Sequence, residues 1–483
     1  MARSALERVD GLAGWAVDRS VGAHHRRRLR RSGRLAQLAP PADGSRWAAD
    51  EPPVREGNAV EVLIDGAAAL PRIAEALAGA RSHVHIAGWH LAADFGLTRD
   101  PAAARLRDLL AELAERVEVR VLMWAGSPLP VFTPARGEVR AMREQLVRGS
   151  RVQCALDANE RPMHCHHEKL VIVDDELAFV GGIDLTSLGG DRFDSSEHPL
   201  RDGQGWHDAA VRLAGPAVAD VAAHFAMRWQ ETADEHLAVS PPPPAAGAVD
   251  VQIVRTVPEK IYDAVPHGDF RILEAYTRAL RSAQRLVYLE SQFLWSAQIV
   301  EILAEKLRRP PTEQFRVLVL LPAKANNGQD DTRGRLGDLV RADDGAGRFL
   351  ACTISARTGG LSGPLYVHAK IGIVDDEWLT IGSANLNEHS LFNDTEMNVV
   401  TCDRQLARDT RLRLWSEHLE RPIEEISGDP AQVVDTLWRP TAEEQRRRFE
   451  RGEALTHKLR ELPGVSRRSR ALLGPLDSLV VDG

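Results

Sequence analysis

From Gly57 onward, short apolar runs alternate with longer stretches whose apolar residues recur every three or four positions. Val60-Glu61-Val62-Leu63-Ile64 reads as a strand, Leu70 to Ala80 as an alanine-rich amphipathic helix, and Val84-His85-Ile86-Ala87-Gly88-Trp89 as a second strand. A helix from about Pro101 to Arg116 leads into the strand Val119-Arg120-Val121-Leu122-Met123-Trp124. This rhythm predicts a layered α/β domain.

The pattern stops at Ser240-Pro241-Pro242-Pro243-Pro244, a stiff extended spacer by composition, and then starts again. Val251-Gln252-Ile253-Val254 answers the opening strand. Ala279-Leu280, Ala283 and Val287 repeat the spacing of Ala76-Leu77, Ala80 and Val84, and Arg316-Val317-Leu318 answers Arg120-Val121-Leu122. The period is a whole domain. The expected architecture is α/β: two homologous mixed-sheet α/β/α domains with pseudo-twofold symmetry and one active site at their interface. Residues 1–55 form a basic N-terminal arm, 56–236 the first domain, 237–250 a Pro-rich linker, 251–420 the second domain and 421–483 a C-terminal appendage around Arg446-Arg447-Arg448. The basic run Arg26-Arg27-Arg28-Leu29-Arg30-Arg31 reads as a solvated helix face; the alternative is a contact for anionic lipid headgroups, each clustered base adding about 1 kcal/mol.

Composition narrows the class. With 27% charged residues and a net charge of −8, the 483-residue chain offers no global attraction to nucleic acid, so no nucleic-acid partner is expected. Cys154, Cys165, Cys352 and Cys402 are widely spaced, which argues against a disulfide framework and a zinc ribbon. Neither a secretory leader nor a transmembrane run of about eighteen apolar residues is present in the pattern, so a cytoplasmic protein, peripheral to a membrane where its substrate is a lipid, is expected.

The chemistry sits in a repeated sentence. His167-Glu168-Lys169-Leu170-Val171-Ile172-Val173-Asp174 returns as His368-Ala369-Lys370-Ile371-Gly372-Ile373-Val374-Asp375, and in each copy a Gly follows the Lys by twelve positions, in Gly181-Gly182 and in Gly382-Ser383. With 17 His and six Lys, chance predicts about 0.2 His-x-Lys triplets in such a chain. Lys occupies both motif positions in a chain that otherwise uses Arg, which points to a compact ammonium there. Residues i and i+2 of a strand share a face, so each His points with its Lys, whereas Asp174 and Asp375 fall in Asp-Asp turns and take a structural role. Cleaving a phosphodiester in line needs a nucleophile on one side of phosphorus and an acid on the other. Two His from two facing halves supply both, with two Lys neutralising the phosphate oxygens.

These motifs resemble the phospholipase D superfamily, over roughly residues 57–420. Asp191-Arg192-Phe193-Asp194, Glu197-His198-Pro199-Leu200, Gly205-Trp206-His207-Asp208 and Val287-Tyr288-Leu289-Glu290-Ser291-Gln292-Phe293 are similar to the eukaryotic-type enzymes. The resemblance implies that His167 is the nucleophile, forming a phosphohistidine, and that His368 is the acid that later activates water. It implies that Lys169, Lys370 and Asn385 bind phosphate, that Asp184 stands where Asn385 stands in the other half, and that Glu290 and Gln292 line the pocket. It further implies that Asp208 and Glu396 hold the distal nitrogen of each His, with Asp208 expected beside His167. The implied activity is hydrolysis of a glycerophospholipid at a membrane surface to phosphatidic acid and a free alcohol, with transphosphatidylation as a variant. A cardiolipin synthase-like phosphatidyltransferase, a nuclease and a non-enzymatic lipid-surface protein are the alternatives.

No cofactor or metal is expected. His164-Cys165-His166-His167 carries zinc-ligand residue types, but His167 belongs to the repeat, and strand alternation separates His164 and His166 from Cys165 and His167. Gly359-Gly360 lacks a phosphate-loop context and reads as a turn, and Trp89, Trp206, Trp229 and Trp415 read as core.

Overall fold

A computed structural model describes residues 22–35, 44–49, 51–129, 133–161, 164–324 and 329–462. The N-terminal half contributes β1 (Arg55–Ile64), β2 (His83–Gly88), β3 (Glu118–Trp124), β4 (Gln153–Asp157), β5 (Lys169–Val173), β6 (Leu177–Gly181), β7 (Gly205–His207) and β8 (Ala209–Ala214). The C-terminal half contributes β9 (Val249–Val257), β10 (Asp269–Phe270), β11 (Leu286–Glu290), β12 (Arg316–Leu320), β13 (Phe349–Ile354), β14 (Ala356–Thr358), β15 (Leu361–Gly363), β16 (Leu365–Val367), β17 (Ile371–Val374), β18 (Trp378–Gly382), β19 (Glu396–Thr401) and β20 (Leu459–Glu461).

The strand order exposes the duplication. Reading outward from the seam, β1-β8-β6-β5-β2-β3-β4 on one side mirrors β9-β19-β18-β17-β11-β12-β13 on the other, and β20 extends the second side. Both halves are mixed in the same way: β2-β3-β4 and β11-β12-β13 are parallel, joined by helical crossovers, while the strands nearer the seam are antiparallel. At the seam β1 pairs with β9 through Arg55↔Val251 and Asn58↔Val249. The inner faces also pack together, since Val180 and Val211 share one apolar cluster with Ile381 and Val399. Outer helices cover the remaining faces: Gly66–Ala78 buries Leu70, Ile73 and Leu77, and its counterpart Arg271–Ser282 buries Ile272, Tyr276 and Leu280. The two homologous mixed-sheet domains expected from the pattern are present.

Some boundaries differ from the pattern. The second predicted helix is confined to Leu106–Leu113, because Asp100 pins a turn at Ala102 and Arg105 bridges to Gly96. The basic arm is less solvated than its composition suggests. Its helix, residues 22–31, turns Arg26, Arg27, Arg30 and Arg31 outward, but Arg28 is buried and donates to Glu259, to Asn393 Oδ1 at 2.7 Å and to the Phe392 carbonyl at 2.9 Å. Within the appendage, β20 pairs antiparallel with β13 and closes its edge, and Trp438 is buried against Trp415.

Asp174 and Asp375 sit in the β5–β6 and β17–β18 turns, each with φ 57°, a left-handed conformation Asp tolerates. Each carboxylate accepts backbone N–H groups at the start of the adjoining parallel strand: Ser82 and His83 for Asp174, Arg285 and Leu286 for Asp375.

Candidate active site

Lys169 opens β5 and Lys370 immediately precedes β17, so each motif His lies just before the sheet, where the chain is still crossing from the opposite half. Cys165 to His167 runs along Thr395: His166 bridges to it, and the His167 N–H donates to its carbonyl at 2.9 Å. β16, leading into His368, pairs in parallel with β7 of the other half, and the His368 N–H donates to the His207 carbonyl at 2.8 Å. Both imidazoles are therefore delivered to the interface, with ring centroids 6.4 Å apart.

This crossing decides which carboxylate reaches which ring, and it corrects one expectation. Asp208 does not stand beside His167. Its Oδ2 lies 2.6 Å from Nδ1 of His368, whereas Nδ1 of His167 faces Glu396, 3.0 Å from Oε1 and 3.2 Å from Oε2. Each His is held by the carboxylate of the opposite half. An Nδ1–H donated to the carboxylate leaves Nε2 bare, aimed away from its support. Glu396 is itself fixed by the hydroxyls of Ser383 and Ser390, the latter at 2.6 Å.

The remaining polar groups close around the pair. Lys169 Nζ donates to the His167 carbonyl at 2.5 Å and lies 3.4 Å from Asp184 Oδ2; Lys370 Nζ donates to the His368 carbonyl and lies 3.5 Å from Gln292 Oε1. Asn385 Nδ2 donates to the same Gln292 oxygen at 3.3 Å, and Gln292 Nε2 donates to Tyr366 Oη. The structure thus gathers His167, Lys169, Asp184, Asp208, Gln292, His368, Lys370, Asn385 and Glu396 in one place.

Glu290 is the second correction. It does not line the pocket. It is still inside β11, fully buried, and its carboxylate is occupied by His207 Nε2 at 2.8 Å, His418 Nε2 at 3.0 Å and the Tyr288 hydroxyl. Gln292, two residues further on, has cleared the strand end and reaches the site.

The motif glycines also acquire a reason. A Cβ on Gly182 would lie 2.1 Å from Asp208 Oδ1, and one on Gly382 would lie 2.2 Å from Asn398 Oδ1, so the strand-end backbone comes too close for any side chain. Electrostatics then set the protonation. Burial lowers the His368 pKa well below its ordinary value, and the positive charges of Lys370, Arg192 and Lys169 push the same way. Arg192 itself is lowered to about 10 by burial and lies over the Trp206 ring, 3.1 Å from its centroid, while Trp206 packs on His368 at 4.4 Å.

Two family models match the chain: one described as phospholipase D over residues 76–205, the other as cardiolipin synthase, PLD-like domain, over residues 276–416, one for each half of the interface just described. This chain belongs to the phospholipase D superfamily. Among relatives of this superfamily, phospholipase D A of Dictyostelium discoideum is 24% identical over 465 residues, covering 76% of this chain and 36% of its own length. The major cardiolipin synthase of Bacillus subtilis (strain 168) is 25% identical over 393 residues, covering 76% of this chain and 73% of its own. The chain therefore spans about a third of the first relative's length. Among solved structures, a phosphatidylserine synthase of Haemophilus influenzae Rd KW20 shares the superfamily fold with a TM-score of 0.50, at 12% identity, covering 78% of this chain and 91% of that one. No helix of the described residues is long and apolar enough to cross a membrane.

Several superfamily-site residues carried no assigned role in the sequence reading. Ser383 follows the repeated motif glycine, Gly382, which made it findable. Ser390 and Tyr366 had no signal beyond proximity to a motif. Glu417 and His418 read as part of the helix Arg404–Leu419, yet they join Asp65, His198, His207 and Glu290 in a buried network behind Asp208.

Proposed function

We propose that this chain is a phospholipase D-type phosphodiesterase that cleaves a glycerophospholipid at a membrane surface through a covalent phosphohistidine. The observation that carries the reading is the pair of imidazoles 6.4 Å apart, each with Nδ1 tied to a carboxylate and flanked by a motif Lys. Nε2 of His167 attacks phosphorus while the headgroup oxygen departs on the opposite side, taking a proton from Nε2 of His368. Lys169, Lys370 and Asn385 bind the non-bridging oxygens. His368, now neutral, takes a proton from water, whose oxygen displaces His167 and releases phosphatidic acid. Burial and the charges of Lys370, Arg192 and Lys169 favour neutral His368 in the free enzyme, so His368 takes its proton from solvent as substrate binds: the phosphodiester anion offsets those charges and raises the pKa.

An alcohol in place of water gives a phosphatidyltransferase by the same steps, a reading favoured by the cardiolipin synthase match over residues 276–416. Incubation with phosphatidylcholine, phosphatidylethanolamine, phosphatidylglycerol and single-stranded DNA in ¹⁸O-water, with and without glycerol, tests the proposal. Hydrolysis puts one ¹⁸O into phosphatidic acid, transfer yields a phosphatidyl alcohol without label, and cleavage of DNA alone rejects the lipid reading. Mass spectrometry of quenched enzyme should find the phosphoryl adduct on the peptide containing His167; an adduct on His368 would reverse the assigned roles.

A further inference from the structure

One layer outside the catalytic pair, the halves meet at a second cluster. His164 comes from the segment leading to β5; His389 lies in the short helix Glu388–Phe392 and Asp394 in the turn before β19. Nδ1 of His164 is 2.8 Å from Nδ1 of His389 and 3.4 Å from Asp394 Oδ1, and the three ligand atoms lie within 4.8 Å of one another. His166, two residues on, points elsewhere, to Thr395 Oγ1 and Asp157. Strand alternation along His164-Cys165-His166-His167 gave no ligand set, because the partners of His164 lie more than two hundred residues away in the other half.

We propose that His164, His389 and Asp394 form a binding site for one divalent transition cation, which staples the two halves together beside His167. Two imidazoles and one carboxylate are a donor set for nitrogen-preferring ions such as zinc, cobalt or nickel, with a fourth position left for water. One further observation points to a ligand. Asp394 is fully buried, with Oδ1 accepting the Cys165 N–H at 2.9 Å while Oδ2 has no hydrogen-bond partner, a costly arrangement without a cation nearby. Trp295 packs edge-on against His389, ring centroids 5.5 Å apart, and walls one side of the cluster.

The fit requires little movement. Ligand bonds of roughly 2.0 Å at a tetrahedral angle put two nitrogens about 3.3 Å apart, so the imidazole pair opens by about half an ångström. His164, with 13% of its side chain exposed, is the ring able to move and the side from which an ion enters. The ring that donates in the imidazole pair shifts its proton to Nε2, so neutral rings bind the cation without net proton release. The cation acts as a clamp and not as a reactant: Asp394 and His389 flank Thr395 and Ser390, which hold His167 and Glu396. The inference is independent of which phosphodiester the enzyme cleaves.

The test is equilibrium dialysis of the tag-free, chelator-stripped full chain against Co²⁺ and Zn²⁺, with Co²⁺ absorption reporting nitrogen coordination. One equivalent per chain is expected, bound at least tenfold more weakly by His164→Ala and His389→Ala, with melting curves confirming that the variants fold. His164 is partly exposed, so His164→Ala decides the matter even where His389→Ala fails to fold. Absence of stoichiometric binding by the unmodified chain, or undiminished binding by His164→Ala, overturns the proposal. Residual binding that instead disappears in His83→Ala assigns the ion to the cluster of His83, His85 and Asp175 and also overturns it.

Discussion

Asp208 and His368 lie 160 residues apart, in different halves of the chain, and share a 2.6 Å contact between Oδ2 and Nδ1. The reciprocal contact joins Glu396 to His167 across 229 residues. Neither half supports its own motif imidazole by itself.

The crossed carboxylates set the tautomer and aim of the rings, so Asp208→Asn and Glu396→Gln should each lower kcat by about 10²- to 10⁴-fold with little change in KM. The double variant should lose far less than the product of the two losses, since the rings work as one unit. Steady-state kinetics on mixed micelles measures this. A loss confined to KM would move both carboxylates from orienting the His to binding substrate.

The depressed pKa of His368 makes a prediction about pH. As acid, His368 must be protonated, so activity falls as pH rises through its pKa. In the free enzyme that pKa is low and governs kcat/KM; with the phosphodiester bound it is higher and governs kcat. The alkaline limb of kcat should therefore lie at higher pH than that of kcat/KM. Coincident limbs would remove His368 from the acid's role.

Gly182 touches Asp208 with no room for a methyl group. Gly182→Ala should displace that carboxylate and cost about 1–3 kcal/mol of stability by overpacking, together with at least a tenfold loss in kcat. Paired melting and kinetic data check it, and full activity with a normal melting temperature would show that the backbone relaxes freely.

Behind the site, burial works against a charge on His198, but Asp65, Asp194 and Glu417 outweigh it and raise its pKa to about 9. His207 is raised in the same way by Asp65, Glu290 and Glu417. A pKa raised on folding adds stability that is complete below the unfolded value of about 6.5 and is lost as pH climbs through the folded value. Unfolding free energy should decline between about pH 6.5 and 9.5, by roughly 3 kcal/mol for His198. His198→Gln should be destabilised at pH 6.5 and show a flatter decline; an unchanged slope would place the titration elsewhere.

What could be read from the residues was whatever repeats locally. The alternation around Val60, Val84 and Val119, replayed at Val251, Val287 and Val317, disclosed the two mixed-sheet halves, and the spacing from Lys to Gly disclosed where they meet. Pairings between halves carry no local signature. Asp208 stands forty-one positions after His167 in the same half, yet its carboxylate reaches across the interface to His368. Glu290 shares strand parity with Gln292, and only the position of the strand end separates a residue in the site from one beneath it. β20 closes β13 from a segment that looked like an appendage.

The seam where β1 meets β9 bears on synthesis. When the ribosome has finished the first half, β1 still offers an open edge, and Asp65 and His207 wait for Glu290 and Glu417. A nascent chain at this stage presents an unpaired strand edge, the condition that invites pairing with a neighbouring chain. Emergence of β9 closes that edge, so ribosome pausing before β9 would raise demand for chaperones more than pausing after it.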